Sequence, residues 1–214
     1  MGWIRVGAVL LAALVMASCQ TTPTTRLHKS AERTTALAPS DNKGVLIIGL
    51  QIESLIENRK FAEIELWSLD RGKRLLIHPD QGGKVIALSR GSWLAGRDSQ
   101  GDVEYVLQTL PAGDYYLAYV GQKAFERWVP QPTSFAFTIK PGMATYIGTY
   151  DFEPPFTMFG NFTIHARGRR PNDAGALLAK YPNMPQELWD QSPVWMDLAC
   201  ELKKGKPQAE CLAK

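Results

Sequence analysis

The chain has 214 residues, of which 45% are hydrophobic and 21% charged, and a formal net charge of +3. That length fits one domain plus appendages, and the composition excludes both a wholly disordered chain and a multi-span membrane protein. Lys and Arg alternate with Asp and Glu along most of the sequence, so the basic stripe of a nucleic-acid binder is missing and no nucleic acid is expected as a partner.

Residues 1–19 fall into three parts: a short start carrying Arg5, an apolar run over 6–16, and the small residues Ala17 and Ser18 ahead of Cys19. This is the layout of a secretory signal peptide. The apolar run is well short of the ~20 residues that cross a bilayer as a helix, so the segment is built to be removed. The string Val15-Met16-Ala17-Ser18-Cys19 resembles the lipobox of bacterial lipoproteins, with Cys19 at the position that family acylates and Met16 where it usually has Leu. The resemblance implies cleavage after residue 18, lipidation of Cys19 and attachment to a membrane. Gln20 rather than Asp behind the cysteine implies, by the same resemblance, the outer membrane of the cell envelope, facing the periplasm. More than one acyl chain matters, because each buried CH₂ contributes about 0.8 kcal/mol and a single chain anchors only marginally.

Residues 19–42 are rich in Thr, Ser and Pro and nearly empty of large apolar side chains. They are expected to form a flexible tether spanning roughly 25–30 Å root-mean-square.

From residue 43 the sequence turns to short apolar stretches separated by turn residues, which is all-β punctuation. Strands are expected over 44–54, 63–69, 74–78, 85–88, 103–110, 114–120, 133–139, 144–152 and 159–166. Between them stand Asp70-Arg71-Gly72, Pro111-Ala112-Gly113 and Pro141-Gly142, among others, each able to supply a positive φ or a preset turn. Over 63–69, Ile64, Leu66 and Ser68 share one face and Glu63, Glu65 and Trp67 the other, so one side is expected to pack and the other to meet water. Over 114–120 both faces carry bulk, which puts that strand in the middle of a sheet. Many short strands with close turns predict a mainly β fold, an immunoglobulin-like or transthyretin-like two-sheet sandwich over 43–166.

Leu110-Pro111-Ala112-Gly113-Asp114-Tyr115-Tyr116-Leu117, the stretch 135–142, and Thr145-Tyr146-Ile147-Gly148 resemble a pattern that recurs in bacterial β-sandwich modules. These include uncharacterised lipoproteins of the DUF2846 group and carboxypeptidase regulatory-like domains. The resemblance covers roughly 44–152 and implies the fold. It implies almost nothing about activity, since such modules are mostly non-catalytic.

Residues 167–214 change character. Arg167, Arg169 and Arg170 are expected to form a solvated turn. Asn172 or Asp173 can cap a helix through Tyr181, with Ala174, Leu177, Leu178 and Tyr181 at helical spacing and Pro182 ending it. A second short helix is expected over 194–204, and both C-terminal helices are expected to cover an open edge or end of a sheet. With Cys19 modified, Cys200 and Cys211 remain, an even count in an oxidising compartment, and are expected to form a disulfide. Zinc suits them poorly, because there is no CxxC and His28, His78 and His165 stand at no ligand spacing to one another. No metal or cofactor is expected.

Enzyme strings such as GxSxG, HExxH, GxxxxGK[ST] and GxGxxG are missing. His78 and His165 are the general-base candidates of the body, and each is better accounted for as a satisfied strand-end side chain. Trp93 and Trp128 fall in expected loops, where a half-exposed ring can stack on a sugar or enter a partner. The functional expectation is a non-enzymatic envelope lipoprotein, held by its lipid and acting as an interaction or scaffolding module for another envelope protein. The alternative is a module that binds a glycan or another small envelope ligand through Trp93 and Trp128. A hydrolase is the third reading and needs His78 or His165 to meet carboxylates in a pocket.

Overall fold

The computed structural model describes residues 25–27, 36–37, 41–51, 63–73, 75–77, 83, 85–89, 98–100, 103–121, 130–153, 162–202 and 209–213. In chain order the first strands are β1 (Thr25–Leu27), β2 (Lys43–Gln51), β3 (Glu63–Asp70), β4 (Leu75–Leu76), β5 (Val85–Ser89), β6 (Asp98–Gln100) and β7 (Val103–Pro111). After them come β8 (Gly113–Gly121), β9 (Thr133–Ile139), β10 (Ala144–Glu153) and β11 (Thr163–Ala166). Helix α1 (Pro171–Leu178) follows, then β12 (Leu188–Asp190), β13 (Val194–Leu202) and β14 (Ala209–Ala213).

The strands form the expected mainly β, two-sheet sandwich. One sheet has the order β11-β10-β2-β7-β6, with β12 alongside β10. The other runs β1-β5-β3-β4-β14-β13-β9-β8, and β3 also pairs with β8, so this sheet curls into a half-barrel.

Period-two alternation builds the core between the sheets. Leu46, Ile48 and Leu50 of β2 and Tyr150 of β10 meet Ile64 and Leu66 of β3, Leu117 of β8 and Phe135 of β9. The intervening residues Val45 and Ile47 are also buried, on the far side of β2, with Tyr105 and Tyr146 beneath Ala174, Leu177 and Leu178 of α1. Strand β2 is thus covered on both faces, which explains its unbroken apolar run. The helix is capped by neither Asn172 nor Asp173: its N-cap is Arg170 without a side-chain bond, and Pro171 and Asp173 lie inside the first turn, where a preset φ and a negative charge suit an N-terminus. It covers a sheet face rather than an edge, because that face carries apolar side chains, which Tyr181 and Met184 help to shield.

Two further expectations are overturned. Residues 194–202 are strand β13, not a second helix. The apolar residues Met196, Leu198 and Cys200 recur at every second position, which is a strand period. Met196 and Leu198 join Trp67, Leu69, Leu76, Tyr116, Ala118 and Ala136 in a third cluster. That cluster also corrects the picture of β3: Trp67 is only 9% exposed, because the half-barrel folds over the face that was expected to meet water.

Candidate functional site

The register gives the sandwich two unlike ends. At one, β7 passes to β8 through Ala112 alone and β9 to β10 through residues 140–143. Gly142 there has φ +70 behind Pro141, and Gly113 has φ +150, as their turn roles require. The Ala112 N–H donates to the Asn42 carbonyl and the Gly142 N–H to the Lys43 carbonyl, closing this end with backbone bonds. At the other end Gln51 of β2 lies opposite Val103, and Glu63 of β3 lies opposite both Ser89 and Gly121. The connecting segments 52–62, 90–97, 122–129 and 154–161 all leave the frame from this second end.

Gln131 ties the sheets together there. Its side-chain nitrogen donates to the Phe162 carbonyl at 2.7 Å and the Thr133 carbonyl at 3.2 Å. Its backbone N–H donates to the Ala118 carbonyl at 2.6 Å, and its carbonyl accepts the Tyr116 hydroxyl at 2.8 Å. A buried amide bonded on so many sides acts as a rigid post at the base of the β8–β9 connection. Its only trace in the sequence is its place between Pro130 and Pro132.

Beside this end stands an indole that sequence reasoning missed. Trp195 is 46% exposed and its neighbour Val194 49%. The Trp195 ring meets its cross-strand partner Phe135 edge-on at 5.5 Å, and Phe135 in turn stacks on Tyr150 at 4.5 Å. A half-exposed ring backed by fixed aromatics is a surface that a protein or a sugar ring can cover. Strand alternation, had 194–202 been taken as a strand, would have set Trp195 apart from Met196 and Leu198. The residues expected in this role, Trp93 and Trp128, lie outside the described residues, as does Cys19.

Among the described residues, several charged side chains of β10, β11 and the segment after it are paired. His165 bonds Glu153 at 3.0 Å and Arg167 pairs with Asp151 at 2.7 Å, both along the β10–β11 ladder near the surface. His78 lies outside the described residues. The arginine turn is more than solvated: Arg169 pairs with Asp190 and donates to the carbonyls of Gln191 at 2.9 Å and Tyr146 at 3.4 Å. The Arg170 N–H donates to the Tyr146 hydroxyl at 2.9 Å, which fastens the entry of α1 to β10. Burial pushes the Tyr115 phenol up to about 12 and those of Tyr105, Tyr116 and Tyr150 higher still.

The register sets Cys200 of β13 directly opposite Cys211 of β14. No disulfide is seen, and the side chains of both residues lie outside the description. Among the described residues no group of three or more His, Cys, Asp or Glu could hold a metal ion. No helix among them is long and apolar enough to cross a membrane. No family model, no curated protein and no solved structure matches the chain.

Proposed function

We propose that the chain is a lipid-anchored protein of the bacterial envelope whose sandwich serves as a non-enzymatic interaction or scaffolding module for another envelope protein. The observation that carries this reading is the asymmetry of the two ends. At one end β7–β8 and β9–β10 are joined by short turns, while the other releases the connections 52–62, 90–97, 122–129 and 154–161 from a frame pinned by Gln131, next to the half-exposed Trp195. Rigid sheets that hold and long connections that bind are the usual division of labour in recognition domains. The lipobox around Cys19, followed by Gln20, supports attachment to the outer membrane on the periplasmic side.

A Cys200–Cys211 disulfide belongs to the same reading. Opposed residues of an antiparallel pair have Cα atoms ~4.5–5.5 Å apart, inside the range that disulfides bridge. An oxidising compartment favours the bond.

The test is photocrosslinking in intact cells from a photoreactive group at position 195. The expected result is capture of a discrete envelope protein, with Trp195→Ala, probed from position 194, lowering capture about tenfold, the effect of losing ~1.4 kcal/mol of binding. No captured protein, together with retention of the domain on peptidoglycan or polysaccharide, would favour glycan binding instead. The exposed indole supports that second reading too.

A further inference from the structure

We infer that the short-turn end of the sandwich rests on the lipid surface, held there by β1, so that the end releasing the long connections points away from the membrane. This rests on the proposed lipidation of Cys19. Strand β1 pairs in parallel with the edge of β5, Thr25 opposite Ile86 and Leu27 opposite Leu88. Strand β5 is antiparallel to β3, and β3 to β8, so β1, β5 and β8 all run from the short-turn end toward the other. The chain therefore enters β1 from the short-turn side.

The reach of the anchor is short. Only residues 20–24 separate Cys19 from Thr25, and that path spans at most about 20 Å fully extended. Thr25 is level with Ile86, Leu66 and Leu117, hence four residues, or about 13 Å, above Gly113. Cys19 can then extend beyond the short-turn end by only about 7 Å, comparable with the roughly 5–7 Å of one headgroup layer. With β1 docked, the domain lies against the bilayer instead of hanging from a long coil.

Side chains at the short-turn end include long cations and an indole of the kind found at headgroup level. The short-turn end presents Lys43, Arg71, Lys73 and Lys140, with the Lys73 side chain 78% exposed. Asp41, Asp70, Asp114 and Glu187 share that end and balance those cations, with Asp70 and Asp114 pairing with Lys73 and Arg71. Lys140 also sits 3.8 Å over the Trp189 ring, an indole and cation together of the kind favoured at headgroup level. Glu153, Glu63 and Asp197 lie toward the opposite end.

The test uses the mature lipidated protein in vesicles of phosphatidylethanolamine and phosphatidylglycerol that carry a headgroup-linked quencher. A fluorophore is placed at Lys73→Cys or Glu153→Cys with Cys200→Ser and Cys211→Ser. Should that background misfold, the same two positions are labelled through a non-natural azide side chain with the native cysteines kept. The ends of β8 are about 26–27 Å apart, so quenching at position 73 is expected to exceed that at 153 at least about threefold. Arg26→Pro with Leu27→Pro removes the β1 donors and should bring the ratio toward one while the protein stays on the vesicles. Equal or reversed quenching, or a ratio untouched by the prolines, overturns the orientation alone. Wild-type protein that fails to stay on the vesicles overturns the lipid-anchor reading along with it.

Discussion

Four buried tyrosines keep their hydroxyls bonded inside the protein. Tyr115 donates to the Pro111 carbonyl at 2.8 Å, Tyr116 to that of Gln131 at 2.8 Å and Tyr150 to that of Ile147 at 2.6 Å, while Tyr105 reaches Asp173 at 3.4 Å. Burial favours the neutral phenol, so their folded values lie above the unfolded value of about 10. As pH rises, the unfolded chain loses these protons first. The stability they contribute is therefore complete below about pH 10 and is lost as pH climbs through the folded values, near 12 for Tyr115. Phenolate absorbance should lag behind that of free tyrosine and rise together with the loss of circular dichroism. Full ionisation of every tyrosine near pH 10 with the fold intact would contradict this account. At Gly142 a second single-residue prediction applies. Nothing lies within 4 Å of an added Cβ, so Gly142→Ala tests backbone strain alone and should lower urea stability by about 1–2 kcal/mol.

Among the elements, β9 and β13 depend on one ring. Phe135 stacks on Tyr150 and takes Trp195 edge-on, so Phe135→Ala should cost about 3–5 kcal/mol in chemical denaturation. Trp195→Ala removes a ring that is already half in water and should cost clearly less, which allows its effect on partner capture to be measured on a folded protein. Leu177→Ala should cost about 2–5 kcal/mol by opening the space between α1 and the six-stranded sheet. The helix was legible from the spacing of Ala174, Leu177 and Leu178 and from Pro182 beyond it. Strand β13 was not, because a stretch of nine residues containing Met, Leu and Ala has ordinary helix propensity and its strand character comes from pairing with β9 and β14. The same misreading hid Trp195, while Gln131 was hidden because its bonds reach residues distant in the chain.

For the molecule as a whole, the C-terminal hairpin helps close the half-barrel, and a Cys200–Cys211 bond would staple it. Oxidised protein should be lighter than reduced protein by two hydrogens per chain, and reduction should lower stability by about 3 kcal/mol for so short a loop. Free thiols in protein taken directly from the envelope would refute the bond. Cys19→Ser should abolish palmitate incorporation and release the chain from the membrane fraction, whereas unchanged retention would remove the basis for its location.

Most strands over 43–166, though not β6, the turns at Pro111–Gly113 and Pro141–Gly142, and the helix near Leu177 were determined by the sequence alone, since alternation, turn chemistry and helical spacing act between residues a few positions apart. Tertiary structure alone decided that Trp67 is covered, that residues 194–202 are extended, that part of the N-terminal segment docks on β5, and that the connections 52–62, 90–97, 122–129 and 154–161 leave from one end. Each of those outcomes depends on which strand lies beside which. Pairing between distant segments leaves no periodic mark in either of them.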